Sequence, residues 1–299
     1  TQILEPQLLG LLCARDVAGN NAIGKFILIG DHKQLPAVVL QSESQSEVCE
    51  ECLQSIGLYN LKDSLFERLY RTVSANHSSP TTQRFYDMLC RQGRMNVEVA
   101  QFPNRAFYGG LLEAVGLPHQ QGKLVLAPGL ESDEFADILV HRVAFLPSVP
   151  ETPSQSAKIN HFEARLTARL AASVYRQYEA SNSGFNSALT LGVITPYRSQ
   201  IALIKREIAA LGIPVLNDIL VDTVERFQGS ERDVIIYSFC VNRTYQLKFL
   251  TNLTEEKGVW IDRKLNVALT RARKQLFMTG VPHLLRQNSI YADLLDTVL

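Results

Sequence analysis

Patterns of strands and helices alternate regularly through the second half of the chain. Short apolar runs at residues 189–195, 219–223, 234–239 and 275–279 indicate buried strands. An amphipathic helical segment that ends at Leu211 lies between the first two of these runs. Such alternation produces a mostly parallel sheet whose faces are covered by helices. We therefore expect an α/β fold for this part of the chain.

Two further patterns extend this expectation toward the N-terminus. Asn160 followed by Glu163 has the spacing of a capping box and predicts the start of a long helix. Residues 26–29 are apolar and predict a parallel strand that is buried on both faces. A polar turn, residues 30–36, follows at the carboxyl end of this strand, where open α/β sheets bind ligands. The turn is therefore a candidate site, and the alternative is an ordinary loop.

The composition of residues 73–82 predicts a domain boundary. This segment is rich in Ser, Thr and Asn and contains a proline, which is typical of a linker. A chain of 299 residues is long enough for two domains. We expect a first domain at residues 1–82 and a second at residues 83–299.

The charge balance leaves the chain without a net positive electrostatic field that could attract nucleic acid. The 30 lysines and arginines are matched by 30 acidic residues, so a nucleic-acid partner must be held by local patches. No apolar run approaches the roughly 20 residues that cross a bilayer, so we expect no membrane partner. Five cysteines are a sparse and odd set, which favours a reducing cytoplasm. Cys49 and Cys52 lack the two further ligands of a zinc site, and we expect no metal site here.

A basic segment follows the last apolar helix pattern. Residues 263–280 contain five cations and no carboxylate, while residues 265, 268, 269 and 272 share an apolar helical face. A guanidinium held near a core needs an anionic partner, and phosphate suits its planar fork. The segment therefore indicates a phosphate site, or alternatively a solvated basic face.

Five separated segments resemble, in this order, motifs of the 5′→3′ branch of superfamily 1 helicases, which includes nonsense-mediated-decay and Okazaki-fragment helicases. They are residues 30–36 (motif III), 92–95 with 102–110 (motif IV and its downstream signature), 195–197 with Gln200 (the segment after motif IV), 221–233 (motif V) and 265–273 (motif VI). This resemblance spans nearly the whole chain. The family has two RecA-like α/β domains, with ATP in the cleft between them and single-stranded DNA or RNA across their tops. For this chain the resemblance implies the C-terminal part of the first domain, to about Thr82, and a full second domain after it.

The resemblance also implies roles for single residues. Gln34 would sense the γ-phosphate of ATP and orient the attacking water, while Arg94 and Arg271 would act as arginine fingers from the second domain. The other expected nucleotide contacts are Asp31, Gly229, Glu231 and Arg273. The expected nucleic-acid contacts are His32, Thr195, Pro196, Tyr197 and Thr223.

Each of these roles has a structural alternative. Glu231 could instead pair with Arg232 or Arg226, and Arg273 could pair with Asp222 or Asp233. The polar residues at the strand ends could simply cap those ends. In addition, Gly93 stands where the family usually has an aromatic residue, so the packing that would place the adjacent motif IV arginine is missing.

The resemblance implies ATP and Mg²⁺ as ligands of the full-length protein. The phosphate loop and the acidic motif II, which hold the phosphates and the metal, are expected upstream of Thr1. We therefore expect this chain alone to be inactive as an ATPase. The location expected is cytoplasmic, or nuclear in a eukaryote. The alternative function is a non-catalytic RecA-like scaffold that binds nucleic acid or a protein.

Overall fold

The computed structural model describes residues 2–75, 85–151 and 156–299. The chain divides into two compact units, Thr1–Leu89 and Cys90–Leu299. This division falls later than the linker expected at residues 73–82. Residues 73–75 continue a helix, whereas residues 76–82 of that segment lie outside the described residues.

The described part of the first unit consists of helices and turns. Its fourth helix begins with the capping pair Ser64 and Glu67, in which the Ser64 Oγ accepts a hydrogen bond from the Glu67 backbone N at 3.1 Å. Glu5 and Arg68 form an ion pair that joins the first helix to the fourth, with Arg68 Nε donating to Glu5 Oε2 at 2.7 Å. The helices are α1 (Glu5–Leu12), α2 (Glu43–Ser46), α3 (Glu51–Gln54) and α4 (Leu65–Ala75).

The prediction of a strand at residues 26–29 is wrong. These residues have no strand structure, and the Ile29 side chain is 85% exposed. An apolar run becomes a parallel strand only when neighbouring strands satisfy its backbone groups. The described part of the first unit contains no sheet that could receive the run.

The second unit is built on a parallel sheet of five strands in the order β3-β9-β6-β4-β5. Two small two-stranded sheets, β1-β2 and β7-β8, lie outside it. The strands are β1 (Arg91–Gln92), β2 (Glu113–Ala114), β3 (Val143–Pro147), β4 (Leu191–Ile194), β5 (Leu220–Asp222), β6 (Arg232–Ser238), β7 (Leu253–Glu256), β8 (Val259–Asp262) and β9 (Ala272–Gly280).

Helices cover this sheet, so the predicted α/β fold class is confirmed for the second unit. The longest, α8, packs with α9 over a core that includes Leu170, Ile204 and Ile236. Short 3₁₀ turns occur at Pro214–Asp218 and Thr244–Gln246. The helices are α5 (Val97–Tyr108), α6 (Pro118–Gln121), α7 (Ala136–Leu139), α8 (His161–Ala180), α9 (Arg198–Ala210), α10 (Val224–Phe227), α11 (Leu247–Leu250), α12 (Arg263–Leu269), α13 (Pro282–Leu285) and α14 (Ser289–Val298).

The basic segment forms a shorter helix than the apolar pattern predicts. Asp262 caps α12 by accepting hydrogen bonds from the backbone N of Lys264 and Leu265, and the helix ends at Leu269. Arg271 therefore follows the helix, and Arg273 lies in β9. Because β9 begins at Ala272, α12 leads the chain back to the amino ends of the strands.

The start of α8 differs from a capping box. Asn160 caps the helix by accepting from the Glu163 backbone N at 2.9 Å, as expected. The Glu163 side chain does not return to Asn160. It is fully buried and accepts hydrogen bonds from Ser238 Oγ at 2.7 Å, Cys240 N at 2.9 Å and Ser148 Oγ at 2.9 Å. The carboxylate points at the strand ends because α8 packs against the sheet at this position.

Burial raises the pKa of Glu163 from 4.5 to about 7, even though its three hydrogen bonds act in the opposite direction. Between these two pH values the folded state binds the proton and the unfolded state releases it. The free energy of unfolding should therefore fall as pH rises through this window. Glu163→Gln should flatten this fall, as measured by urea unfolding at pH 5, 6, 7 and 8.

Other buried groups also have shifted pKa values. Burial raises the pKa of Asp262, and it raises the pKa of the thiol of Cys240, whose backbone N donates to Glu163. The comparison of the variant with the wild type, rather than the slope of either alone, isolates Glu163. Parallel pH profiles for the two proteins would contradict the assignment.

Gly192 in the middle of the sheet should not tolerate a larger residue. A Cβ at this position would lie 2.6 Å from Phe227 Cε1 and 3.1 Å from Arg232 Cγ. Gly192→Ala should lower the free energy of unfolding by about 1–3 kcal/mol because the packed ring must move. The matched control is Gly93→Ala, whose Cβ would meet its nearest neighbour at an ordinary 3.5 Å. Equal stability of the two variants would refute the prediction.

Candidate nucleotide and nucleic-acid sites

Charged side chains meet at the amino ends of β6 and β9. Glu231 directly precedes β6, and Arg94 lies between β1 and α5. Arg94 Nε donates to Glu231 Oε2 at 2.7 Å. Arg273 Nη1 lies 3.1 Å from Asp233 Oδ1, and Arg273 Nε lies 3.5 Å from Glu231 Oε1. Three segments that are distant in sequence thus form one cluster, which we call the amino-edge cluster: Arg94, Glu231, Asp233, Arg271, Arg273 and Lys274.

The amino-edge cluster carries an excess of positive charge. Its four cations face two carboxylates, and Lys274 Nζ lies 2.8 Å from Asp233 Oδ2. The Arg94 and Glu231 side chains are partly exposed, so an anion can reach them from solvent. A phosphate would supply the negative charge that the cluster lacks.

Arg271 is the most buried member of the amino-edge cluster, at 2% exposed. Its Nε donates to the backbone O of Val267 at 3.1 Å, and its Nη1 donates to the backbone O of Ser230 at 3.3 Å. Nη2 donates to Thr270 Oγ1 at 3.1 Å. Arg271 therefore joins the segment before β6 to the end of α12, and these contacts would have to rearrange before its guanidinium could bind a phosphate.

Arg94 follows Gly93, the position that lacks the aromatic residue usual in the family. Its Nη1 donates to the backbone O of Thr270 at 3.3 Å, in addition to the contact with Glu231. Its backbone O lies 2.9 Å from His119 Nε2. These polar contacts hold Arg94 beside Glu231.

Glu231 forms neither of the side-chain pairs considered as structural alternatives. Arg232 Nη1 donates to the backbone O of Glu231 at 2.7 Å, and Arg226 lies 3.9 Å from Asp222. The preceding Gly229 has φ 80°, a left-handed conformation that favours glycine. This turn returns the chain from α10 to the start of β6 and places Glu231 beside Arg94.

The residues expected to contact nucleic acid in this unit lie at the opposite edge of the sheet. Thr195, Pro196 and Tyr197 follow the carboxyl end of β4, and Thr223 follows that of β5. Thr195 and Pro196 line a small pocket together with Lys264 and other residues. The Thr195 side chain is fully buried, and its Oγ1 has no hydrogen-bond partner among the described residues.

Four buried amide side chains meet at the same edge, and two of them, Asn242 and Gln246, were not identified from the sequence. Tyr197 Oη accepts from Gln246 Nε2 at 3.1 Å. Asn242 Oδ1 accepts from Asn160 Nδ2 at 2.9 Å, and Gln200 Nε2 donates to the backbone O of Asn160 at 3.0 Å. These amides join the loops after β3, β4 and β6. Residues 30–36 were selected because they follow an apolar run. The same signal would also have selected the loop after β6.

The turn at residues 30–36 brings its expected site residues together within the first unit. Asp31 accepts from the Lys33 backbone N at 3.0 Å and from Gln34 Nε2 at 2.9 Å. The His32 ring stacks on Tyr70, with centroids 4.3 Å apart. The Gln34 amide is thus oriented by Asp31 in this structure.

Neither metal ligands nor membrane spans are found in the described residues. No group of three or more His, Cys, Asp or Glu side chains there could hold a metal ion. In the same residues, every helix is too short or too polar to cross a bilayer.

Three relatives are similar to nearly the whole chain. An uncharacterized ATP-dependent helicase of Methanocaldococcus jannaschii is 30% identical over 91% of this chain and 34% of its own length. The DNA replication ATP-dependent helicase/nuclease DNA2 of Xenopus laevis is 32% identical over 96% of this chain and 24% of its own length. The helicase sen1 of Schizosaccharomyces pombe is 27% identical over 92% of this chain and 14% of its own length.

The chain therefore spans about a third or less of these three relatives. A family model described as an AAA domain matches residues 61–283. Together these matches confirm the resemblance to superfamily 1 helicases, and the chain belongs to this AAA domain family.

Proposed function

We propose that this chain forms the C-terminal motor region of an ATP-dependent helicase, which couples ATP hydrolysis to translocation on single-stranded DNA or RNA. One observation carries the proposal. In the second unit, the residues assigned to the nucleotide and those assigned to nucleic acid lie at opposite ends of a single parallel sheet. The similarity to ATP-dependent helicases supports the same assignment.

The amino-edge cluster supports a role in phosphoryl transfer. Phosphoryl transfer leaves a protein mainly positioning and charge stabilisation, and an arginine finger contributes about 10³–10⁵ in rate. In this proposal Arg94 and Arg271 face the γ-phosphate, and Arg273 contributes to the positive charge. Glu231 accepts hydrogen bonds from the ribose hydroxyls, and Gly229 allows the turn that presents it.

The first unit contributes the residues of motif III in this proposal. Gln34 orients the attacking water, and Asp31 holds the Gln34 amide. In this proposal ATP is bound together with Mg²⁺ in the full-length protein.

The edge with the small pocket supports binding of a nucleic-acid backbone. Thr195, Pro196, Tyr197 and Thr223 supply hydroxyls, a ring and backbone groups at the ends of adjacent strands. Such groups position a strand without reading its sequence. His32 would add a contact from the first unit.

In this proposal the protein acts in the cytoplasm, or in the nucleus of a eukaryote.

Helix α12 provides a physical connection between the two edges. Lys264 in its first turn lies 3.3 Å from Glu225 and lines the pocket beside Thr195. Arg271 follows its last turn and bonds to the backbone of Val267. In this proposal a shift of Arg271 on nucleotide binding is transmitted through α12 to the pocket at the other edge.

The second candidate function is a scaffold that binds nucleic acid or a protein without hydrolysing ATP. The burial of Arg271 favours it, because a nearly inaccessible arginine that bonds to backbone carbonyls can be purely structural. ATP hydrolysis by the full-length wild-type protein distinguishes the two functions, and the variants below test the roles of single residues in the motor.

Arg271→Ala in the full-length protein should reduce nucleic-acid-stimulated ATP hydrolysis by about 10³-fold or more, while ATP binding persists. Arg271→Lys, which retains the charge but loses the planar fork, should retain the fold and lose most of the stimulation. Arg105→Ala is the control, since Arg105 pairs with Asp293 on the surface. Wild-type turnover in both Arg271 variants would refute the arginine-finger role of Arg271. A full-length wild-type protein that shows no nucleic-acid-stimulated ATP hydrolysis would support the scaffold instead.

Glu231→Ala should raise the KM for ATP by about 10-fold, because charge-assisted hydrogen bonds to the ribose are lost. The same variant should bind 2′,3′-dideoxy-ATP as well as it binds ATP, whereas the wild type should prefer ATP. If Glu231 acts only by holding Arg94, the variant should bind both nucleotides more weakly by the same factor and keep the wild-type preference for ATP. Competition assays with the two nucleotides measure the difference.

A further inference from the structure

The short segment after β6, residues 243–250, alternates between buried and exposed side chains. Tyr245 is 56% exposed and Phe249 is 62% exposed. Arg243 and Lys248 are also exposed, so two aromatic rings and two cations share the outer side of one segment. We name these four side chains the outer surface of the segment. Exposed rings among cations are the composition of surfaces that bind single-stranded nucleic acid.

The outer surface lies at the same edge as the residues assigned to nucleic acid. Phe249 lines the pocket that also contains Thr195 and Pro196. Gln246 Nε2 donates to Tyr197 Oη at 3.1 Å. Burial raises the pKa of Tyr197, and the proximity of Tyr245 adds to this effect. The outer surface is thus continuous with Thr195, Pro196 and Tyr197.

The inner side of the segment fixes the backbone that carries the two rings. Gln246 Oε1 accepts from the backbone N of both Asn242 and Arg243 at 2.9 Å. Gln246 Nε2 also donates to the backbone O of Ala157 at 2.8 Å. Leu250 is buried, and Lys264 Nζ donates to the backbone O of Phe249 at 3.2 Å. A pre-formed backbone lowers the entropy cost of stacking a ligand on the rings.

We infer that Tyr245 and Phe249 form a base-stacking subsite for single-stranded nucleic acid, with Arg243 and Lys248 beside its phosphates. The inference rests on the proposed function and extends it. The hydroxyls and backbone groups after β4 and β5 contact only the phosphodiester backbone, whereas these rings contact the bases. Stacking tolerates any sequence because every base has a π-face. Nucleic acid is favoured over a protein partner because the outer surface is continuous with Thr195, Pro196 and Tyr197, the residues assigned to nucleic acid.

The test compares two oligonucleotides of equal length, one with bases and one with abasic positions throughout. Full-length wild-type protein should bind the strand with bases at least 10-fold more tightly, as measured by fluorescence anisotropy at fixed salt. The double variant Tyr245→Ala/Phe249→Ala should lose most of this preference. Its affinity for the abasic strand should change little, because contacts to the phosphates remain.

Leu189→Ala is the matched control. Leu189 is also 62% exposed, but it precedes β4 at the amino edge of the sheet. This variant should keep the wild-type preference for bases, and thermal unfolding should confirm that both proteins remain folded. A preference that persists undiminished in the double variant would overturn the stacking subsite and leave the proposed function intact. A wild-type protein that binds neither strand would overturn the proposed function itself.

Discussion

The parallel direction of the five central strands determines where every other feature of the second unit can lie. Parallel strands place all amino ends at one edge and all carboxyl ends at the other. Residues that precede strands, such as Glu231 and Arg271, therefore gather at one edge. Residues that follow strands, such as Thr195 and Thr223, gather at the other. The two candidate sites are therefore separated by the length of the strands, and α10 and α12 return the chain from one edge to the other.

The two edges are stabilised in different ways. At the carboxyl edge, the side chains of Asn160, Gln200, Asn242 and Gln246 are buried and hydrogen-bonded to one another or to backbone groups. An amide that lost its partner in such a site would be costly, so the network favours one arrangement of the loops. The pairs at the amino edge are more exposed, and exposed ion pairs contribute little to stability. An incoming phosphate can therefore compete for Arg94 at small cost to the fold.

Much of the second unit could be predicted from local patterns. The apolar runs at 189–195, 219–223, 234–239 and 275–279 all become strands of the central sheet, because short runs between helices have few other ways to be buried. The run at 26–29 has the same pattern and forms no strand. Its structure depends on partners that the pattern itself does not contain. Glu163 shows the same limit, since its spacing indicates a cap while its carboxylate bonds to the ends of β3 and β6.

The sequence by itself determined the fold class of the second unit, the order of its motifs and the family to which the chain belongs, because these depend on periodicity and on residue identity along the chain. Only the tertiary structure decided which distant charges meet. The pairing of Arg94 with Glu231, the burial of Arg271 and the contact of Gln246 with Tyr197 join segments far apart in sequence. Side chains on such segments come within bonding distance only when strand order and helix packing bring them together, and no local pattern encodes that distance.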